Sequence, residues 1–232
     1  MFALLKGGFG NIWTHPKTRK QRQQMVELSI DFETTSTADL RKVGAYRYSV
    51  HPDTKVLCMS YSFDDGKTVK NWRPGEELPW EAIGHAMNGG IVRGWNVGFE
   101  YHIWNNVLSR LVRKRPLYGQ EWEWPLEISQ LRDTMAQAAY WGLPLSLDAA
   151  APAAGLATVK DKTGHALMMR MARPRTNKKG VQTWWHETDA QKYADLIDYC
   201  DQDVRTECAV AAAIPALPDA EQEMWEMDLR IT

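Results

Sequence analysis

From Val26 to Ile30 the chain alternates apolar and polar residues with a period of two, and the run continues into Asp31-Phe32-Glu33-Thr34-Thr35. That alternation predicts a strand with one face against a core. Acids at i and i+2 on a strand project from the same face, so any fold built on this strand sets two carboxylates side by side. Tyr46–His51 and Lys55–Phe63 predict two further strands, broken by Pro52-Asp53 and closed by Asp64-Asp65-Gly66, with a short strand over Thr68–Trp72. Pro79–Met87 predicts a helix and Ile91–Trp95 a short buried strand. Phe99, Ile103, Val107 and Leu111 have helical spacing, and Gln130–Trp141 and Leu147–Leu156 predict two more helices. A short helix near His165–Met171 is expected to lead into a mobile loop. Thr188 or Asp189 then caps a long helix reaching about Ala213, with an apolar stripe at Tyr193, Ile197, Cys200, Val204, Cys208 and Ala211. Pro215 and Pro218 end it, and Asp219–Ile231 begins a last helix. Strands first, then strand–helix alternation, predict an α/β domain with a mixed β-sheet flanked by helices.

Composition narrows the function classes. With 44% hydrophobic residues and 11 Trp, the 232-residue chain needs a substantial core, which excludes collagen-like and disordered classes. No run approaches the roughly 18 apolar residues of a membrane span. Phe2-Ala3-Leu4-Leu5 stops at Lys6, too short for a signal peptide's apolar region. Cys58, Cys200 and Cys208 lack CxxC spacing, so a disulfide framework or a cysteine zinc site is not expected, and a cytoplasmic setting is. The six His show no HxxxH or HxH spacing, and Gly7-Gly8-Phe9-Gly10 lacks the Lys-Ser/Thr of a phosphate loop.

The net charge of −1 hides an asymmetry. Residues 1–24 carry five basic residues and no acid, which predicts a basic, flexible N-terminal extension before a domain spanning 25–214. Residues 160–180 carry seven basic residues against Asp161, and residues 187–230 carry twelve acids against three basic residues. The pattern fits a polyanion approaching carboxylates that hold metal, or simply solvated faces. Trp184-Trp185, beside the basic segment, fits either a stacking platform for bases or a partly buried pair.

Three short motifs carry chemistry. Asp31 and Glu33, paired on one strand face, would raise each other's pKa unless a cation lies between them, and hard oxygen ligands suit Mg²⁺ or Mn²⁺. Asn96-Val97-Gly98-Phe99-Glu100 places Asn96 at a strand-to-helix switch and Glu100 in the first helical turn. Tyr199 and Asp203 are i and i+4 on the long helix and share a face, which the helical wheel sets opposite the Ile197/Val204 stripe.

In this order, D-x-E, then N-x2-F-acid, then Y-x3-D, the motifs resemble those of the DEDD superfamily of 3′–5′ exonucleases, and Tyr199 resembles its tyrosine subclass. The likeness spans about residues 26–213, with one departure: Glu100 stands where that family normally has Asp. The resemblance implies a ribonuclease-H-like fold and two divalent ions, Mg²⁺ or Mn²⁺. Asp31, Glu33 and Asp203 would hold the first, Asp31 would bridge to the second, and Glu100 would act on the second. It further implies that Tyr199 positions the attacking water, and that Thr34 and Asn96 contact the terminal nucleotide. Asp133-Thr134, Lys160-Asp161-Lys162, Leu167–Pro174 and Tyr199-Cys200 narrow the likeness to the proofreading domain of phage-type family A DNA polymerases. Glu223-Met224-Trp225-Glu226-Met227-Asp228 resembles the helix leading into their polymerase domain, so that residues 215–232 read as its start. The implied partners are single-stranded or frayed DNA 3′ ends and a polymerase module in cis or trans, with no membrane. A 3′–5′ ribonuclease of the same superfamily is the alternative. A non-catalytic binding module on this fold is a third reading, against which all four positions remain acidic.

Overall fold

The computed structural model describes residues 26–113, 125–157 and 162–231; the predicted N-terminal extension and Lys160-Asp161 lie outside them. A five-stranded sheet forms the centre: β1 (Leu28–Thr35), β2 (Lys55–Ser62), β3 (Lys70–Trp72), β4 (Val92–Gly94) and β5 (Leu131–Asp133), in the order β3-β2-β1-β4-β5. β2 runs antiparallel to β1, and β4 and β5 run parallel to it. The sheet is mixed, as the strand–helix order predicts, and helices flank it. Moving along the chain, strands are added first on one side of β1 and then on the other. The gap beyond the carboxyl ends of β1 and β4 is therefore a topological switch point, where open α/β sheets place their ligands.

The strand alternation sorts side chains onto two faces. Leu28, Ile30 and Phe32 point with Met59, Tyr61 and Trp72 into the larger core, against α1 (Leu40–Val50), α2 (Trp80–Met87) and α3 (Gly98–Ile103). α3 runs on through a π-turn, Trp104–Leu108, into α4 (Ser109–Arg113). Asn105 clamps that turn, its Nδ2 donating to the Leu126 carbonyl at 3.1 Å and its Oδ1 accepting from the Leu126 N–H at 2.8 Å. After β5 come α5 (Thr134–Tyr140), α6 (Leu147–Ala153), α7 (Lys162–Met171), β6 (Arg175–Thr176), β7 (Gln182–Thr183) and α8 (Trp185–Thr188). The other sheet face carries Asp31, Glu33, Cys58 and Ser60 beneath α9 (Ala190–Ala213). Asp189 caps α9 through a bond from the Lys192 N–H, and Ser60 Oγ donates to Asp201 at 2.6 Å. α10 (Asp219–Ile231) returns to the larger core through Trp225 and Leu229.

Four sequence expectations are corrected. Tyr46–His51 is the end of α1, not a strand. A strand would put Tyr46, Tyr48 and Val50 on one face, but Tyr48 is buried while Tyr46 and Val50 are exposed, and Gly44 at φ 77° resets the helix before them. The element expected as a helix over Gln130–Trp141 begins as β5, too short for periodicity to reveal, and only turns helical at the Asp133 cap. The segment after Met171 is the β6–β7 hairpin rather than a loop. Its turn is tied by Asn177 Oδ1, which accepts from the N–H groups of Lys179 and Val181 at 2.9 and 3.0 Å. The buried stripe of α9 is wider than Ile197/Val204 because Leu196 and Glu207 are buried too. Tyr199 and Asp203 thus sit half-buried at its margin rather than opposite it.

Candidate functional site

β1 delivers Asp31 and Glu33 to the face that α9 covers. Glu33 is buried, and Asp31 accepts a hydrogen bond from the Cys200 thiol at 3.1 Å. Burial pushes the Asp31 carboxyl up to about 6 from 3.8, against a downward pull from Cys200. Glu33 lies well above its ordinary range, first through burial and then through the charges of Asp31, Cys58, Asp203 and Glu100. A carboxylate influenced by three other carboxylates lies in one crowded electrostatic neighbourhood.

Glu100 enters from the first turn of α3, beyond the carboxyl end of β4. Asn96 makes the turn with φ at +62°, and its carbonyl accepts the first helical bond from Phe99. Glu100 is buried, with its pKa raised well above normal by burial and then by Asp31, Asp133 and Glu207. Among the described residues its Oε2 has no hydrogen-bond partner.

α9 supplies the opposite wall. The Tyr199 hydroxyl hydrogen-bonds Asp203, and burial followed by the Asp203 charge holds the phenol protonated far above neutral pH. Asp31 and Asp203 line one small cavity of about 90 Å³ with Glu207, rimmed by Ile30, Trp95, Leu147 and Val204. Beside Tyr199 a wider groove of about 550 Å³ opens between α7 and α9, with Arg170 and Lys192 among its lining groups.

Asp31 and Asp203 thus share one cavity, Glu33 and Glu100 lie within electrostatic reach of them from β1 and α3, and Tyr199 hydrogen-bonds Asp203. Thr34 and Asn96 stand apart. The Thr34 hydroxyl is buried on the larger-core side, 3.0 Å from the Tyr48 hydroxyl, and Asn96 is exposed on its turn. Two buried acids were given no role from the sequence: Glu207, which was not singled out, and Asp133, which entered only as part of the Asp133-Thr134 likeness. Asp133 caps α5, accepting from Ala136 N–H at 3.0 Å and Asn96 N–H at 3.3 Å. Glu207 accepts from the Thr134 hydroxyl, and among the described residues its Oε2 has no hydrogen-bond partner. A signal for Glu207 existed: it extends the Tyr199–Asp203 ridge by one more helical turn.

The three cysteines are buried and free, as their spacing implies. Trp185 is not an open stacking platform. The Arg175 guanidinium covers its ring at 3.7 Å, Arg170 approaches it at 5.4 Å, and it packs on the Leu57, Met171 and Leu196 cluster. Arg173, from the same basic segment, pairs with Asp39 at 2.8 Å.

The donor set fits hard divalent cations. It is all carboxylate, its members raise one another's pKa, and two buried oxygens, on Glu100 and Glu207, have no hydrogen-bond partner among the described residues. Among the described residues, no group of three or more His, Cys, Asp or Glu side chains is placed to hold a metal ion.

No family model matches the chain. The DNA polymerase of Bacillus phage SP02 is 31% identical over 215 residues, an alignment that covers 89% of this chain and 31% of that polymerase. Among the described residues no helix is long and apolar enough to cross a membrane. The chain is thus similar to one part of a phage DNA polymerase, spanning about a third of its length.

Proposed function

We propose that this domain is a divalent-metal-dependent 3′–5′ exonuclease of the proofreading type, hydrolysing the terminal phosphodiester of a DNA 3′ end. The observation that carries the reading is the meeting of Asp31 and Asp203 in one cavity, with Glu33 and Glu100 electrostatically coupled to them. Asp31, Glu33 and Asp203 would hold one Mg²⁺ or Mn²⁺, and Asp31 with Glu100 a second. When bound, such ions lower the pKa of a water and stabilise charge on the departing 3′ oxygen. Tyr199 stays protonated and hydrogen-bonded to Asp203, so its role is to orient the water rather than to remove its proton. Glu100 reaches farther than the Asp usual in the exonuclease family, and its unpartnered Oε2 supports a role on the second ion. Of the two nucleotide contacts that the resemblance implies, Asn96, exposed on its turn, is retained in the proposal, whereas the Thr34 hydroxyl, held by Tyr48 on the larger-core side, is not. The groove beside Tyr199, lined in part by Arg170 and Lys192, offers a route for the strand. The name of the phage relative favours DNA over RNA and a polymerase module as partner.

The decisive experiment is digestion of matched 5′-labelled DNA and RNA oligonucleotides in Mg²⁺, Mn²⁺ and EDTA. The expected result is stepwise shortening of DNA from its 3′ end, abolished by EDTA and by Asp31→Ala. Undiminished cleavage by a folded Asp31→Ala protein would refute the assignment, and preferential RNA cleavage would identify the ribonuclease alternative. A wild-type protein inert in both metals would identify a non-catalytic module.

A further inference from the structure

Glu207 lines the same cavity as Asp31 and Asp203 but has no task in the mechanism proposed above. It lies one turn beyond Asp203 on α9 and is only 3% exposed. The Thr134 hydroxyl holds Oε1. Ser29 and Cys208 lie near the carboxyl and favour its charge, yet Oε2 has no hydrogen-bond partner among the described residues. The nearest cationic influence is Arg93, whose guanidinium is committed to Glu27 and, at 3.1 Å, to Gln137.

We infer that Glu207 is a fifth acidic residue of the cation pocket, a positioning residue whose Oε1 is fixed by Thr134 and whose Oε2 serves the hydration shell of a divalent ion held by Asp31 and Asp203. The inference rests on the cation site proposed above. Asp133 shows what a structural acid looks like in this fold: it is equally buried, but it accepts two backbone N–H groups and caps a helix. Glu207 caps no helix, and although Ser29 and Cys208 lie nearby, its Oε2 makes no hydrogen bond among the described residues. A buried carboxylate oxygen left unpaired is costly, so a retained one needs a donor that arrives from outside the chain. The cavity volume, about 90 Å³, has room for several waters, and its carboxylates supply the polar partners that ordered waters need. With Asp31, Asp203 and Glu207 as its polar lining and only apolar side chains around them, a space this small suits a small hydrated cation. Groups that support a metal's ligands or waters contribute strongly to its affinity.

The test uses the full chain and Mn²⁺ as probe. Binding is read by calorimetry, and the melting temperature is measured in EDTA and in saturating Mn²⁺. Glu207→Gln keeps the shape and the acceptor for Thr134. It should weaken Mn²⁺ affinity by about tenfold or more. It should also melt higher than wild type in EDTA and gain less from Mn²⁺. Thr134→Ala, which frees Oε1 while retaining the charge, should lose affinity to a smaller extent and carries the test if Glu207→Gln does not fold. Should Glu207→Gln bind Mn²⁺ as wild type does, while Asp31→Asn loses binding, Glu207 is structural only and the cation site stands. Should wild type itself neither bind Mn²⁺ nor gain stability from it, both readings fall.

Discussion

Asp31 is where the electrostatic conflict of the cluster is most open to measurement. Its carboxyl rises from 3.8 to about 6 chiefly through burial. Between those values the folded protein keeps a proton that the unfolded chain has released. In EDTA, stability should therefore fall as pH rises from about 4 through about 6, by on the order of 1–3 kcal/mol, the low end applying because Asp31 keeps some solvent access. Asp31→Asn should flatten that part of the curve and melt higher than wild type at pH 8. Denaturant unfolding at a series of pH values checks it; an unchanged pH profile in Asp31→Asn would contradict the burial argument. Tyr199 gives the complementary case. Its hydroxyl donates to Asp203 from a half-buried position, so Tyr199→Phe should leave stability within about 0.5 kcal/mol. Its proposed role in orienting the water predicts a drop of about tenfold or more in single-turnover DNA cleavage, because catalytic groups must be held within about 0.5 Å of productive geometry. Equal rates would remove Tyr199 from the chemistry.

At the scale of elements, α3 must hold Glu100 steady although the helix it begins turns irregular only four residues later. The π-turn Trp104–Leu108 swells the helix, and Trp104, Val107 and Leu108 are buried by it. Asn105 fastens the turn to Leu126 with a donor and an acceptor, which substitutes a side-chain amide for a strand-like pairing. Asn105→Ala leaves both Leu126 backbone groups without that partner and should cost about 1–3 kcal/mol. Thermal melts measure the cost. Amide exchange should accelerate at Leu126, whereas α9, anchored by its own Asp189 cap and by Ser60, should be unaffected.

For the whole molecule, α10 packs as part of the fold. Trp225 and Leu229 pack on the larger core, Gln222 Nε2 donates to the Leu131 carbonyl at 3.2 Å, and Leu229 lies against Gly98 at the start of α3. The helix thus braces both the sheet edge β5 and the element that carries Glu100. A chain ending before Asp219 should melt several degrees lower, since a loss of 1 kcal/mol shifts the melting point of a domain this size by about 2–4 °C. Its exchange protection should fall first along β5. A truncated chain with unchanged melting and unchanged β5 protection would show that α10 is only laid on the surface. The same helix exposes Met224, Met227 and Ile231 on its outer side.

Wherever sequence spacing was long enough to repeat, it was legible. The alternation of β1 and the 24-residue α9 are periodic over several repeats, so one buried face follows from residue order alone, and with it the pairing of Asp31 with Glu33 and of Tyr199 with Asp203. The three motifs were likewise readable, because each lies within five consecutive residues. Tertiary contacts decided the rest. β5 is three residues long, below any period, and exists because β4 offers it an edge. Tyr46–Val50 became helix because the core took the adjacent Tyr48 and Ser49, which a strand would set on opposite faces, and Trp185 became a support for arginines because it packs against Leu57, Met171 and Leu196. The environment of Glu207 was decided in the same way. Its charge and spacing are visible in one dimension, but the cavity it lines is assembled from β1, α9 and the segments around Trp95 and Leu147, which are distant in the chain. Local periodicity reports which way a side chain points, and only the packing of distant elements reports what it meets there.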